Sequence, residues 1–346
     1  MNDCSLLDEL NVRAHDRCIP LNVTLELTLS CNIRCTHCYN FDRERPRPAA
    51  GPELSMEEIR ALLADLRRAG TLFLTLTGGE AMVHPRFWEI ADEAALRGFA
   101  VSVLSNGTLL AERTCDRLAA YPNLWSVSLS VYGAAAPTHD GVTRTPGSFE
   151  RTMAGARRLR DRGVRTSLKF IVMKANAGEV GAMLSMADAE GFECSVDPAI
   201  TGRYDGTSGS LATRVDAETL EALYRGPLRP LVGPARTGTG DGDFRCNCAR
   251  GNAAVSSTGE VYPCIATPLR AGSIRERPFP EIWEASPVFR WIRGLRVADL
   301  PTCAPCELKA WCRRSPGSAY LQTGDYTSVD PWTCREAEIL KSIGTP

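Results

Sequence analysis

Between residues 22 and 198 the chain alternates short apolar segments with longer amphipathic ones. Residues 23–29 alternate apolar and polar side chains with a period of two, which predicts a β-strand. Ser55 and Glu58 form a capping-box pattern at the start of a predicted helix that ends near residue 69. The same patterns predict further strands at residues 71–77, 100–104, 125–131, 166–173 and 193–196, and further helices at 86–98, 109–120, 149–163 and 177–190.

Repeated strand–helix units of this spacing predict a parallel sheet with right-handed crossovers. The six strands are too few for a closed eight-unit barrel but enough for an open one. We therefore predict an α/β fold built on a partial (β/α)6, TIM-like barrel. In such folds the ligand site lies at the C-terminal ends of the strands.

The chain changes character after the sixth predicted strand. Residues 199–213 are polar and Gly-rich, and residues 229–242 are rich in Pro and Gly, which is typical of a linker or surface loop. The region beyond has little regular pattern apart from an amphipathic helix predicted at 281–293 as a packing element. We predict an N-terminal segment at 1–20, the partial barrel at 21–228 and a Cys-rich domain at 229–346.

Composition narrows the possible functions. The 346 residues carry 40 Lys+Arg and 41 Asp+Glu, a net charge of −1, which gives no support for a nucleic-acid or anionic-membrane binder. The N-terminus has no apolar signal-peptide region, and no stretch approaches 18 consecutive apolar residues. We expect a cytoplasmic protein that touches neither nucleic acid nor membrane. The chain also has 14 cysteines, and clustered cysteines in a reducing compartment favour metal ligation over disulfides.

The first predicted strand leads directly into Cys31, Cys35 and Cys38, spaced C-x3-C-x2-C on a loop. Thiolates are the usual ligands of iron–sulfur clusters, and a cubane normally takes four. Three ligands would leave one iron open for a substrate or cosubstrate. The alternative is a zinc knuckle with His37 as fourth ligand, but His37 is adjacent to Cys38, which is awkward for a tetrahedral site.

With Tyr39 after the last cysteine, this motif resembles that of the radical S-adenosylmethionine (SAM) enzymes, and the resemblance covers about residues 21–198. It implies that Cys31, Cys35 and Cys38 hold a [4Fe–4S] cluster whose fourth iron binds the amino and carboxylate groups of SAM. Reduction of the cluster would then cleave SAM to methionine and a 5′-deoxyadenosyl radical, which abstracts hydrogen from an unactivated C–H bond. Tyr39 matches the aromatic position beside the adenine.

Other family motifs follow in order along the chain. Thr77 precedes a Gly-Gly-Glu triplet that resembles the motif receiving the SAM amino group, and its position after a strand distinguishes it from an ordinary turn. Ser105 and Asn106 match the family's Asn-Gly turn, which is either a direct ligand or only a turn before a helix. Ser130 matches a serine near the SAM ribose or carboxylate, and Arg144 a basic residue facing that carboxylate. The implied SAM contacts are Tyr39, Gly78, Gly79, Glu80, Ser105, Asn106, Ser130 and Arg144.

The C-terminal cysteines resemble the SPASM extension of peptide-modifying radical SAM enzymes, which holds two auxiliary iron–sulfur clusters. The match spans about residues 244–336. It implies that Cys246, Cys248 and Cys264 serve auxiliary cluster I, and that Cys303, Cys306, Cys312 and Cys334 form a complete auxiliary cluster II. The family often has one more cysteine where this chain has Pro316, so cluster I either uses both Cys246 and Cys248 or keeps an open iron that binds substrate. The alternative for the whole region is a pair of structural zinc sites.

The SPASM resemblance favours a ribosomally made precursor peptide as substrate, modified by a cross-link, an epimerisation or a backbone rearrangement. Sulfatase maturation is disfavoured because Ile265 stands where that branch has an Asp. About 20 residues precede the first strand, fewer than a peptide-recognition domain needs, so we expect a separate recognition protein or direct binding by the barrel. A flavodoxin- or ferredoxin-type protein would supply electrons.

The candidate substrate contacts lie at the predicted barrel mouth: Cys194, Asp197, Arg203, Tyr204 and Asp205. The alternative is that Cys194 is a core thiol and that the other four residues belong to a solvated loop. Two other functions remain open. One is a SPASM-type dehydrogenase of a small amino-sugar alcohol. The other is a zinc-stabilised binding protein without catalytic activity.

Overall fold

The structure, a computed structural model, describes residues 6–45, 51–235 and 246–344. Within these ranges the strands are β1 (Asn22–Glu26), β2 (Phe73–Thr77), β3 (Ala100–Ser105), β4 (Leu124–Val131), β5 (Thr166–Ile171), β6 (Glu193–Asp197), β7 (Asn252–Val255), β8 (Glu260–Tyr262) and β9 (Gly272–Ser273). The α-helices are α1 (Leu6–Arg17), α2 (Met56–Arg68), α3 (Phe87–Leu96), α4 (Glu112–Ala119), α5 (Ala136–Thr143), α6 (Ser148–Asp161), α7 (Val180–Ala189), α8 (Ala217–Arg225), α9 (Phe279–Ala285), α10 (Pro287–Gly294), α11 (Pro316–Thr323) and α12 (Pro331–Ile343).

The six predicted strands pair in parallel within one open sheet, in the order β6-β5-β4-β3-β2-β1. This confirms the predicted partial barrel. Register brings the C-terminal ends of the strands to one edge, as where Glu26 of β1 faces Thr77 of β2. The predicted capping box is also present, since the Ser55 side chain accepts from the backbone of Glu58 and the Glu58 side chain accepts from the backbone of Ser55.

The Cys-rich region adds three strands that the sequence pattern did not predict. β7 pairs in parallel with β1, with Asn252 opposite Asn22, and β8 and β9 continue as antiparallel neighbours. The barrel and the C-terminal region therefore share one sheet. The domain boundary at residue 228 stays a prediction, and the proposed linker at 229–242 lies partly outside the described residues.

The two faces of the parallel sheet differ in chemistry. Positions such as Leu25, Leu74 and Val127 are fully buried and pack with the surrounding helices into the main core. Many of the alternate positions are small, polar and half-exposed, and hydroxyls of neighbouring strands contact each other, as Ser102 and Ser126 do at 3.0 Å. The polar positions line the inner face of the open barrel.

The helix predicted at 281–293 is two helices. α9 ends at Ala285 and α10 begins at Pro287, because a proline lacks the N–H that a continuous helix would need there. Its predicted packing role holds, since Ile282, Trp283 and Phe289 are all buried. None of the described helices has the length and apolar character needed to cross a membrane.

Candidate active site

Cys31, Cys35 and Cys38 lie on the loop that follows β1, at the edge where the parallel strands end. Burial raises the pKa of the Cys35 thiol, and negative charge on Cys38 and then Cys31 raises it further. The three predicted cluster ligands are therefore brought within interaction range of one another.

Backbone hydrogen bonds fix this cysteine loop against the end of α5. The N–H of Arg34 donates to the carbonyl of Thr143, and the N–H of Thr36 donates to that of Val142, each at 3.0 Å. The loop conformation is therefore set by the fold and not by the thiols alone.

Arg43 bridges the cysteine loop to the end of the first strand. Its Nε donates to Sγ of Cys38 at 3.1 Å, and its Nη1 donates to the carbonyl of Leu29 at 3.0 Å. A charged donor on sulfur stabilises the thiolate that iron requires.

The motif after β2 packs against the same loop through its glycines. A Cβ on Gly78 would lie 2.3 Å from the carbonyl oxygen of Thr28, and one on Gly79 would lie 2.2 Å from that of Ser30. Only glycine allows this close approach of the two backbones.

Glu80 links the ends of β2 and β3. Its buried carboxylate accepts hydrogen bonds from the Ser105 hydroxyl at 3.0 Å, the Asn106 backbone N–H at 2.7 Å and the Met82 N–H at 3.2 Å. Burial raises the pKa of Glu80, although these donors oppose the shift. The Asn106 amide in turn donates to Sγ of Cys31 at 3.8 Å. These residues thus meet at the cysteine loop, while their roles toward SAM stay predictions.

Tyr132, at the end of β4, connects the predicted Ser130 to the cysteines. Its hydroxyl hydrogen-bonds both the Ser130 hydroxyl and the Cys35 thiol. His139 accepts from the Tyr132 backbone N–H through Nδ1 at 3.1 Å, which gives His139 a structural role. The ring of His37 packs edge-on to Tyr132 at 4.6 Å, and burial, with Arg203 nearby, lowers the pKa of His37 to about 4.

Tyr39 reaches into the barrel. Its hydroxyl donates to Oε1 of Glu26 at 3.5 Å, and its ring packs edge-on to Tyr204 at 5.2 Å. Burial raises the pKa of Glu26 to about 7, against the lowering effect of the Tyr39 hydrogen bond.

Arg203 holds the cysteine loop from the opposite side. It is 6% exposed, and it donates from Nε to the carbonyl of Cys38 at 3.1 Å and from Nη2 to that of Thr36 at 3.2 Å. Its Nη1 lies 3.5 Å from a carboxylate oxygen of Asp42. A contact between Arg203 and substrate stays a prediction.

The two residues after Arg203 also contact the segment that follows the cysteine loop. The Tyr204 N–H donates to the carbonyl of Tyr39 at 2.9 Å, and the Asp205 carboxylate accepts from the Asp42 N–H at 3.1 Å. Of the other substrate candidates, Asp197 is exposed and accepts from the Ala199 N–H at 2.8 Å.

Cys194, the last of those candidates, packs against the main core. This placement agrees with a core thiol. Its proposed contact with substrate stays a prediction.

A cavity of about 470 Å³ opens beside the cysteine loop and Arg203. Five cationic side chains line it: Arg34, Arg43, Arg144, Lys174 and Arg203. Two acids, Asp42 and Glu44, offset part of that charge, and Arg144 pairs with Glu44. The cavity is therefore suited to a ligand with negative charge.

The thiols assigned to auxiliary cluster I also converge. The Cys248 thiol hydrogen-bonds those of Cys246 and Cys264, and this contact lowers the pKa of Cys246 to about 7. The Thr267 hydroxyl lies 3.3 Å from Sγ of Cys264. The Tyr326 hydroxyl is the fourth group in this cluster of side chains, within interaction range of the Cys246 and Cys248 thiols.

The four thiols assigned to auxiliary cluster II share a turn-rich segment and the start of α12. Burial raises the pKa of Cys312 to about 11, and negative charge on Cys334, Cys303 and Cys306 adds to the shift. The four thiols therefore lie close enough to act on one another, and their assignment to one cluster stays a prediction.

The donor sets fit iron–sulfur clusters. In the part of the chain that the structure describes, no three His, Cys, Asp or Glu side chains surround a single point as the ligands of one metal ion do. A cubane spreads its thiolates over different irons, so its ligands need not converge in that way. In addition, His37 Nδ1 and Asn40 Oδ1, both buried in the cysteine loop, have no hydrogen-bond partner among the described residues. Buried polar atoms normally have one, so the loop has donor and acceptor capacity for a bound group.

Comparison with known proteins agrees with this geometry. Residues 25–187 match the model of the radical SAM superfamily, and residues 246–307 match that of the iron–sulfur cluster-binding SPASM domain. The chain is 29% identical over 339 residues to an AdoMet-dependent heme synthase of Methanosarcina barkeri, covering 90% of this chain and 96% of that protein. It is 27% identical over 324 residues to the mycofactocin maturase MftC of Mycobacterium ulcerans, covering 88% and 85%.

Its fold is similar to that of Streptococcus suis SuiB bound to S-adenosylmethionine, with a TM-score of 0.69, 16% identity, and coverage of 94% of this chain and 80% of that one. SuiB bound to the precursor peptide SuiA gives the same TM-score at 15% identity, covering 95% and 80%. The chain is a radical SAM enzyme with a SPASM domain, and its cofactors are a SAM-binding [4Fe–4S] cluster and auxiliary iron–sulfur clusters. This excludes the non-catalytic zinc protein considered from the sequence.

Sequence reasoning missed four residues at these sites. Arg43 and Tyr132 contact cluster thiols, Glu26 lies buried beside Tyr39, and Tyr326 contacts the auxiliary thiols. Only Glu26 had a readable signal, because it is a charged side chain at an inward position of an alternating strand.

Proposed function

We propose that this enzyme abstracts hydrogen from a ribosomally made precursor peptide, and that the product carries a cross-link, an epimerised residue or a rearranged backbone. The open, polar inner face of the sheet carries the proposal. Half-exposed hydroxyl side chains follow it from β1 to β5: Thr24, Thr75, Ser102, Ser126, Ser128 and Ser167. A peptide crossing this face finds partners for its backbone N–H and C=O groups, which must be hydrogen-bonded when water is excluded.

Two of the related proteins support a peptide substrate. MftC is a maturase, and SuiB has been solved with a precursor peptide bound. The sequence similarity to MftC and the fold similarity to SuiB both extend over most of the chain.

A [4Fe–4S] cluster on Cys31, Cys35 and Cys38 would supply the reductive cleavage of SAM and so the radical that abstracts hydrogen. In our proposal the protein's own residues prepare the site for this reaction. Arg43 donates a hydrogen bond to the sulfur of Cys38, and Arg203 fixes the carbonyls of the cysteine loop. Glu26, whose pKa burial raises to about 7, is in our proposal the carboxyl inside the barrel that exchanges a proton with substrate near neutral pH.

The reaction also needs an electron donor, and we propose a flavodoxin- or ferredoxin-type protein in the cytoplasm, where cluster thiolates stay reduced. A separate peptide-recognition protein stays a prediction.

A second candidate function is the conversion of a heme precursor. Heme synthases are among the most similar relatives and are matched over nearly their full length. The five cationic side chains of the cavity would pair with the carboxylates of such a substrate.

Mass analysis distinguishes these functions. The reconstituted enzyme is incubated anaerobically with SAM, a reductant and either a co-expressed precursor peptide from a neighbouring gene, a heme precursor or an amino-sugar alcohol. We expect the peptide to lose two hydrogens or, for an epimer, to gain deuterium from heavy water. The C31A/C35A/C38A variant should leave the peptide unchanged. The C18A variant, which alters a cysteine outside the proposed cluster ligands, should still modify the peptide. Conversion of the heme precursor or the alcohol alone, with the peptide intact, would refute the proposal.

A further inference from the structure

The site of auxiliary cluster I has three thiols where a cubane takes four protein ligands. Pro316, four residues after Cys312, begins α11. The next residue, Gly317, lies so close to the turn after Cys264 that an added Cβ would be 2.1 Å from the carbonyl oxygen of Ala266. Pro316 therefore lies next to the segment that carries Cys264.

Tyr326 reaches the same three thiols from the segment after α11. Its side chain is 2% exposed, and its hydroxyl lies within interaction range of the Cys246 and Cys248 thiols and of the charge on Cys264. An oxygen donor thus lies where three sulfurs from two other segments meet.

The segment that carries Tyr326 is held in place independently of the thiols. The Nη2 of Arg314 donates to the carbonyls of Tyr326 and Ser328, at 2.7 and 2.8 Å. The ring packs against Trp291 with 5.6 Å between the ring centroids. The hydroxyl position is therefore set before any cluster binds, as ligand preorganisation requires.

We propose that Tyr326 is the fourth protein ligand of auxiliary cluster I, and that its phenolate oxygen binds the iron that no thiolate reaches. Ligation forms an Fe–O bond, breaks the phenol O–H bond and releases the proton to solvent, with no change in electron count. Tyrosinate is an established ligand of iron in proteins. A cluster closed in this way transfers electrons and does not bind substrate through an open iron. The inference rests on the cofactors and is independent of which substrate is modified.

The test uses the full chain in a C31A/C35A/C38A background, so that only the auxiliary clusters are observed. Resonance Raman spectra are recorded with natural and ring-deuterated tyrosine. We expect phenolate modes that shift with the label, that are lost in Tyr326→Phe and that persist in Tyr224→Phe, where the removed hydroxyl contacts Glu336 and not a cysteine. If the C31A/C35A/C38A protein with Tyr326 intact shows no mode that shifts with the label, the proposal is overturned. This readout does not depend on the folding of any Tyr326 variant.

A small exogenous ligand gives a second readout. Cyanide should change the electron paramagnetic resonance of the reduced auxiliary clusters in Tyr326→Phe and leave the signal unchanged when Tyr326 is present. An equal change in both proteins would mean that the iron is open and that Tyr326 is not a ligand.

Discussion

The hydroxyl of Tyr39 donates a hydrogen bond of 3.5 Å to the carboxylate of Glu26 inside the barrel. Tyr39 follows Cys38, the last cysteine of the cysteine loop, and Glu26 ends the strand that leads into that loop. Negative charge on Glu26 also acts on Tyr204, from the segment after β6, and on Tyr262 of β8. This buried acid therefore interacts both with the residue that follows the cysteine motif and with the C-terminal strands.

The buried carboxylate makes stability depend on pH. Because burial raises the pKa of Glu26 from 4.5 to about 7, the folded state binds more protons than the unfolded state between these values. The free-energy cost of burying the ionised Glu26 carboxylate is absent below about pH 4.5, grows as the pH rises, and is fully present above about pH 7. At full ionisation a shift of this size corresponds to about 3 kcal/mol.

We therefore expect Glu26→Gln to be more stable than the unsubstituted enzyme at pH 8 and nearly equal at pH 5, measured by denaturant unfolding across this range. Glu218→Gln, at an exposed carboxylate, serves as control. A stability difference that does not grow with pH would show that Glu26 is ionised without cost.

Arg203 should control loading of the SAM cluster. In Arg203→Ala the carbonyls of Thr36 and Cys38 lose their donors, so we expect a loss of one cluster's iron with the auxiliary clusters retained, measured by iron analysis and electron paramagnetic resonance. Arg225→Ala removes an exposed arginine paired with Glu221 and should load fully. Full loading of Arg203→Ala would mean that the contacts of Arg203 with the cysteine loop are not needed for cluster binding.

Arg43 should tune the potential of the same cluster. Hydrogen bonds to cluster sulfurs stabilise the more negative reduced state. Loss of the donor at Cys38 in Arg43→Met should therefore lower the midpoint potential, measured by redox titration. Arg45→Met, which changes a nearby exposed arginine, should leave it unaltered. An unchanged or raised potential in Arg43→Met would contradict the assigned contact.

Gly79 should tolerate no side chain. Its added Cβ would meet the Ser30 carbonyl at 2.2 Å, so Gly79→Ala should lose about 3 kcal/mol of stability and most of its SAM-cluster iron. Gly141→Ala is the matched control, because nothing lies within 4 Å of its added Cβ and alanine favours a helix. Equal stability and iron content in the two variants would rule out the close packing described.

Periodicity predicted the barrel strands well because β1 to β5 alternate buried and more exposed positions and amphipathic helices separate most of the strands. It missed β7, whose Asn-Ala-Ala-Val run has no alternation and which is stabilised by pairing with the distant β1. It also missed α5, where Pro137 and Gly141 interrupt any apolar period. Tertiary packing, and not local propensity, decides such elements.

The three cysteines after β1 could be grouped from the sequence because their spacing is local, whereas the auxiliary sets rest on the family resemblance and stay predictions. The contacts of Arg43 and Tyr326 with thiols could not, because each joins residues whose proximity depends on how separate segments pack. An arginine or a buried tyrosine carries no sequence signal for a sulfur contact.

The central claim is that Cys31, Cys35 and Cys38 hold the cluster that cleaves SAM. The most direct measurement is 5′-deoxyadenosine formation after anaerobic reconstitution, reduction and addition of SAM, with the C31A/C35A/C38A variant alongside. We predict formation by the unsubstituted enzyme and none by the variant, with the auxiliary-cluster iron retained. Continued cleavage by the variant, or no cleavage and no iron in the unsubstituted enzyme, would contradict the account.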